Sequence, residues 1–421
     1  MTAWRQKLPP WMTLILLGLG LALSLPGDTA LYVALPTHTA EAGITLTHVG
    51  LMLSANRLIR LFINAPYGMV IERVPRRWML VPSLLIGGLS YFLYTVPGFW
   101  PLLIGRLLWG IAWAGIWIGG STAVLDIATS RNRGRYSGFY QVFFFVGVGG
   151  SAILAGVLVD SIGYLEALRI CAWIALGMGL IWLIFLPETR PAVVSNPAPA
   201  AEPLASAVMP GTAPSRWMLV VAIALLGVNW LIFIGVLGAT LPLLLEERVG
   251  QSTIILGILL PLTTLTGVLT AGNQFLSAFV SPFSGWLTDR TGNRWGLVIL
   301  ALLTGVAALA LLADGRGNIL LAGIILGAIA TSILQTQVMT LVGDHAGVNR
   351  QGRILGVVNT VGDLGSAIGP LLAYALLPGI GLSGIYWLMG GTLALFLLPG
   401  VQIAWREVHT ARTPHIQPTS L

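Results

Sequence analysis

Twelve apolar stretches, each close to the length of a bilayer crossing, constrain this 421-residue chain more than anything else in it. Bounded by charges or turn residues, they fall at about 11–36, 45–71, 78–97, 99–125, 137–160 and 165–186, then at about 217–245, 261–288, 295–313, 318–342, 353–377 and 383–405. A helix needs roughly 20 apolar residues to cross the hydrocarbon. Bare backbone cannot stay unpaired in lipid, so these stretches are expected to be helices. Composition agrees, because 56% of residues are hydrophobic and only 9% are charged. A soluble domain carries about 25% charged residues; this chain could not cover its own surface with polar side chains, which excludes a large water-soluble enzyme. The first stretch follows Arg5 and Lys7 in the manner of a signal peptide, but eleven further spans make an uncleaved first helix the expectation. The lone Cys171 lies inside an apolar run, so no intrachain disulfide and no cysteine metal site is expected.

The net charge of +7 has a topological explanation. With a cytoplasmic N-terminus, the inner segments hold sixteen Lys and Arg residues, from Arg5 and Lys7 to Arg406 and Arg412, and the outer segments hold only Arg169, Arg248 and Arg316. That is a strong positive-inside bias, with both termini cytoplasmic. The basic balance therefore points to a lipid bilayer and needs no nucleic acid. Between the two sets of six spans, residues 187–216 carry seven prolines among alanines and small polar residues. Such a segment reads as an extended cytoplasmic linker. The expected organisation is an all-α integral membrane protein: a six-helix bundle at 1–186, the linker at 187–216, a second bundle at 217–405 and a cytoplasmic tail at 406–421.

The two halves repeat each other. Asn56 and Asn273, Gly68 and Gly285, Glu72 and Asp289, Arg73 and Arg290, and Arg77 and Arg294 are all 217 residues apart. Asp126 and Asp344, Arg135 and Arg353, and Gly147 and Gly365 are 218 apart. An even number of spans per copy sends both copies into the membrane in the same direction, related by a pseudo-twofold along the membrane normal. Within the second copy, Gly285, Leu287, Asp289, Arg290, Gly292 and Arg294 resemble the loop G-x-L-x-D-R-x-G-R-R of the major facilitator superfamily. The first copy keeps Gly68, Arg73, Arg76 and Arg77 but has Val70, Glu72 and Pro75 in place of Leu, Asp and Gly. The resemblance covers essentially the whole chain and implies a twelve-helix secondary transporter that works by alternating access. It says much less about substrate.

The loop has a physical reading. Gly68 and Gly285 are expected to let helices approach closely near the cytoplasmic face, where the acid can sit at a helix N-terminus and pair with arginine. Asp126 and Asp344 are candidate partners for Arg73 and Arg290. Such a latch, with Arg77 and Arg294 beside it, would form a cytoplasmic gate; solvated inner loops obeying the positive-inside rule are the alternative.

Five ionisable residues are expected inside spans: Asp28, Arg57, Arg60, Arg106 and Asp363. Each costs about 2.5–3.5 kcal/mol at mid-bilayer, so each should be paired or face a wet cavity. Asp28 and Arg106 lie at similar depths, and Arg57, Arg60 and Asn64 form one polar stripe on the second span. Asp28 is the leading proton carrier: burial favours its protonated form and a nearby guanidinium its charged form, so proton loading can be tied to a moving pair. Its setting, and the element Arg106 to Gly110, resemble the first-helix acid and the fourth-helix R-x-x-x-G of drug–proton exporters in this superfamily. A static pair of Asp28 with Arg106 or Arg57 is the alternative. Asp363, on one face with Asn359 and Ser366, is either a second coupling site or bonded across to Asn229 or Asn273. The exporter signature G-x-x-x-G-P-x-x-G-G is only partly kept at 147–156, where the proline is missing and Ser151 and Ala155 replace glycines.

Trp109, Trp113 and Trp117 lie at i, i+4 and i+8 after Arg106. Facing inward, they would favour an amphipathic or aromatic substrate; facing lipid, they would be packing or anchoring residues. Tyr32, Asn56, Arg57, Arg60, Asn229, Trp230, Asn273 and Gln274 are further cavity candidates, as are Gln335 and Gln337, and any of them can instead be interhelical glue. No G-x-x-x-x-G-K-[ST] stretch suggests an ATP motor, and the five histidines lack metal-ligand spacing, so no metal or cofactor is expected. The reading is a monomeric bacterial inner-membrane transporter that exports a small amphipathic or aromatic compound in exchange for protons. Uptake or lipid flipping on the same bundle, and a non-transporting receptor or assembly factor, are the alternatives.

Overall fold

The computed structural model describes residues 8–129, 132–190, 216–255, 257–345 and 351–412, with side chains except at 216, 255, 342–345, 351–356 and 406–412. Among these residues the chain makes twelve helical passes. The first six are α1 (Pro10–Ala34), α2 (Leu46–Ile71), α3 (Arg76–Tyr94), α4 (Phe99–Ile127), α5 (Arg133–Ile162) and α6 (Tyr164–Phe185). Then come α7 (Trp217–Val249), α8 (Leu262–Thr291), α9 (Arg294–Asp314) and α10 (Asn318–His345). The last helix run, Gln351–Ala394, breaks at Gly381, where φ is +64° and a side chain would be strained. The break separates α11 (351–380) from α12 (382–412), which is itself interrupted by a turn at Leu395–Phe396 before the helix Leu397–Arg412. Eight segments of the described chain are long and apolar enough to cross a bilayer on composition alone, the α11–α12 run counting as one. The spans α2, α3 and α8 fall short of that mark; α2 carries Arg57 and Arg60, and α8 ends in Asp289 and Arg290.

The expected spans match these helices closely, and local chemistry explains their ends. Thr45 and His48 form a capping box at the start of α2. The Asn293 side chain accepts from the Gly296 backbone N–H at 2.8 Å and so starts α9. One element was not foreseen: strands β1 (Ser252–Ile255) and β2 (Ile258–Pro261) form an antiparallel hairpin between α7 and α8. Its β-branched residues and Gly257, with φ +80°, fit a tight reversal.

Three passes depart from regular α geometry. In α1 the helix breaks at Leu25, ahead of Pro26, which has no N–H to donate. There Ser24 Oγ donates to the Leu21 carbonyl at 2.7 Å, and the Tyr91 hydroxyl donates to the Ser24 carbonyl at 2.5 Å. Short π-helical stretches interrupt α4 at Gly115–Gly119 and α7 at Trp230–Leu237.

The chain divides into two compact units. The first comprises Met1–Ser206, Trp230–Leu276 and Asp363–Leu382, and the second comprises Ala207–Asn229, Ser277–Gly362 and Ser383–Leu421. The first has a continuous core in which Leu17, Leu21, Leu31, Leu84, Tyr91, Trp109 and Trp182 are all fully buried. Lipid offers no hydrophobic drive for one helix to meet another, so close packing and buried hydrogen bonds hold such a unit together. The Trp182 indole N–H, donating to the Leu16 carbonyl at 2.8 Å, is one of these bonds.

Candidate functional site

The break in α1 sets the site. It puts Asp28 in the first turn of a new helical segment, Pro26–Ala34, whose N-terminal dipole favours a carboxylate. Asp28 Oδ1 accepts from Arg106 Nη1 at 2.5 Å and from Asn56 Nδ2 at 3.4 Å. Arg106 is wholly buried on α4 and is held from both sides, because its Nε donates to the Met52 carbonyl at 2.7 Å and its Nη2 to the Leu53 carbonyl at 3.4 Å. The guanidinium thus ties α1, α2 and α4 at one depth. Gly110, one turn on, allows this: a Cβ there would meet Asn56 backbone and Ile59. Asp28 keeps 19% of its side-chain surface open, and its Oδ2 has no hydrogen bond among the described residues. One oxygen is fixed and the other is open.

A second ion pair lies on the same helix α2. Arg60 Nη2 donates to Asp363 Oδ1 at 2.6 Å, and Asn64 Nδ2 to Asp363 Oδ2 at 3.4 Å. Asp363 therefore pairs with α2, and neither Asn229 nor Asn273 is its partner. Arg57 has no carboxylate; its guanidinium carbon stands 5.4 Å from the Tyr32 ring centroid. The same ring has the Arg106 guanidinium 5.8 Å away, and the Tyr32 hydroxyl donates to the Leu53 carbonyl at 2.9 Å.

The tryptophans of α4 turn toward their own unit. Trp109 is buried and tilts against Tyr91 at 5.0 Å. Trp113 and Trp117 stack at 5.8 Å, and both contact Phe144 of α5. The small residues at 147–156 serve packing: Gly147 lies against Ala22, and Gly156 against the backbone of Thr263 and Thr264. Asp160, which the sequence did not single out, accepts from both the N–H and the hydroxyl of Thr264 at 2.6 Å and so caps the start of α8. Among the other cavity candidates, Asn229 is fully buried with neither amide atom partnered, and Trp230 Nε1 is buried without a partner among the described residues. Asn273 and Gln274 are half-buried and make no hydrogen bond among the described residues.

The cytoplasmic loops differ from expectation in two respects. Asp126 pairs with Arg76 at 2.8 Å, not with Arg73, while Glu72 and Arg73 are exposed. Arg76 sits at the start of α3 and faces α4, which a position on the loop itself does not. Glu188 completes the arrangement by accepting from the Arg76 and Arg77 backbone N–H groups at 2.8 and 3.1 Å. Nor do the loop glycines mark a close helix approach: a Cβ on Gly68 would meet nothing within 4 Å, and one on Gly285 only Thr336 at 3.9 Å. In the second copy Asp289 and Arg290 are exposed, Arg290 lies 5.6 Å from the Trp286 ring, and Arg294 donates to the Thr340 carbonyl at 3.5 Å. The side chain of Asp344 lies outside the described residues, as does most of the linker.

Comparison with known proteins settles the family. A sequence model of the Major Facilitator Superfamily matches residues 17–273 and again 263–419. The chain belongs to the major facilitator superfamily. Its relatives in the superfamily include the class C tetracycline resistance protein of Escherichia coli, 27% identical over 411 residues, covering 93% of this chain and 94% of that one. The quinolone resistance protein NorA of Staphylococcus aureus (strain MRSA252) is 22% identical over 388 residues, covering 90% and 92%. A bacterial homologue of the human lysosomal transporter Spinster, solved inward-facing and occupied, superposes with a TM-score of 0.72 at 16% identity, covering 94% of this chain and 96% of that chain. The human organic anion transporter MFSD10 gives 0.62 at 21% identity, covering 93% and 99%. The protein is thus an all-α, twelve-helix, multi-pass membrane transporter built, as the superfamily is, from two six-helix bundles.

Proposed function

We propose that this transporter exports a small amphipathic compound and that entering protons, carried by Asp28, drive it. The observation that carries the reading is the Asp28–Arg106 pair: a carboxylate within a span, with one oxygen held and the other open. Proton loading weakens the pull on Arg106, and with it the tie that Arg106 makes from α4 to α1. A loaded and an empty Asp28 then favour different arrangements of the bundles 1–186 and 217–405, which is the differential interaction that coupling requires. Asp363, paired with Arg60, is a second titratable group in the same cycle. The relatives named for tetracycline and quinolone resistance support export.

In this reading Tyr32, Asn56, Arg57 and Arg60 line the substrate path with Trp230, Asn273 and Gln274, while Trp109 and Trp113 back it. Asp126 with Arg76 forms the cytoplasmic gate in the first copy, and Asp289, Arg290 and Arg294 serve in the second. The protein works as a monomer in the bacterial inner membrane with both termini in the cytoplasm.

The test is uptake of tetracycline and of a quinolone into everted vesicles, with and without an imposed pH gradient. Wild-type protein should accumulate substrate only with the gradient, and Asp28→Asn should abolish the gradient-dependent part. Normal, gradient-responsive transport by Asp28→Asn would remove Asp28 from the mechanism.

A further inference from the structure

We propose that the transported compound carries a single negative charge and that Arg57 receives it; this rests on the transporter reading above. The argument is a charge ledger inside one compact unit. Among the described residues, the spans of the first unit hold three arginines within the membrane, Arg57, Arg60 and Arg106, and two acids to match them. Asp28 is taken by Arg106 and Asp363 by Arg60. Arg57 is left over.

Its position allows no easy escape to the headgroups. Arg57 is eleven residues into α2, about 16 Å along a helix that rises 1.5 Å per residue, which is half the thickness of the hydrocarbon. Its neighbour Asn56 touches Asp28, so Arg57 stands at the depth of the first ion pair. Apart from the Tyr32 ring at 5.4 Å, the guanidinium has no hydrogen bond or ion pair among the described residues. It is only half-buried, so its donors are open to an incoming group. A ring face offsets part of the cost of a desolvated cation and satisfies none of its N–H donors.

Asp28 and Asp363 neutralise the two neighbouring arginines, so the cluster of three arginines and two acids keeps one net positive charge. The Arg106 guanidinium shares the Tyr32 ring, and Arg60 lies one turn along the same face of α2. A cationic ligand would meet net repulsion here and a neutral one would leave the charge unmatched. A carboxylate or phosphodiester, each with one negative charge, would accept two parallel N–H bonds from the planar fork, an arrangement lysine cannot reproduce.

The test is thermal unfolding of the purified full-length protein against matched triplets built on naphthalene, biphenyl and indole, each as carboxylate, carboxamide and amine. A single-chain phosphate lipid in the same panel distinguishes a membrane-derived anion from a soluble one. Wild-type protein should be stabilised by the anion of each series well before its amide or amine. Arg57→Gln should weaken anion binding about tenfold and leave the weak amide response unchanged, and Arg57→Lys should fall between. Equal or tighter binding of amides or amines to wild-type protein, or no stabilisation by any anion, overturns the assignment whether or not the variants fold. Anion binding through Arg57 without gradient-driven transport would sink the export reading alone. Gradient-driven transport of compounds that carry no anionic group would sink this inference alone.

Discussion

The interiors of the two compact units solve the same problem with different chemistry. In the second unit, buried polarity is neutral. Gln337 is fully buried, accepts from the Thr288 hydroxyl at 2.9 Å and donates to the Ser284 carbonyl at 3.2 Å. Ser332 donates to Ser277 at 2.8 Å. In the first unit the buried polarity is ionic: Asp28 with Arg106, Asp363 with Arg60, and Arg57 over Tyr32. A neutral network is satisfied in one geometry and has no proton to gain or lose near neutral pH. An ion pair in lipid is costly whenever one partner is removed, protonated or moved. The units thus divide the labour between a fixed frame and a switchable set of charges.

That contrast can be broken by substitution. Arg106→Gln should lower stability by about 3–5 kcal/mol, because it strands Asp28 in a buried setting and frees the Met52 and Leu53 carbonyls. Thermal melts in detergent would read this, and the double change Asp28→Asn with Arg106→Gln should cost clearly less than the two single changes together. In the second unit, Gln337→Leu should cost only about 1–2 kcal/mol, since Thr288 keeps its bond to the Ser284 carbonyl at 2.8 Å. The same variant should leave the response to a pH gradient unchanged in vesicles. If Gln337→Leu proves as damaging as Arg106→Gln, or shifts the gradient response, the division between frame and switch is wrong.

Much of the architecture could be read from the chain because lipid permits so few solutions. Span limits follow from apolar length and flanking charge, and the helices end within a few residues of expectation, as at Leu46–Ile71 and Tyr164–Phe185. The costly charges were legible for the same reason. Their pairing was only partly so: Asp363 and Arg60 are 303 residues apart, and sequence spacing cannot say which faces of distant helices meet. Helix rotation hid the tryptophans as well, since an i, i+4 stripe looks alike whether it faces a cavity, lipid or α5. The choice of Arg76 over Arg73 turned on where the loop ends and α3 begins, and a shift of three residues decides which side chain reaches Asp126. The cap from Asp160 to Thr264 left no signal in the order of residues, because it spans 104 positions.

The unmatched guanidinium of α2 has an electrical corollary. If each cycle admits one proton and releases one monoanion, two elementary charges cross in the sense that an inside-negative cell already favours, each worth about 2.3 kcal/mol per 100 mV. Symport of the same pair would move none. A potassium diffusion potential imposed across vesicles at equal pH should therefore accelerate exchange and leave symport indifferent. A single unneutralised arginine would in that way couple the pump to voltage as well as to acidity.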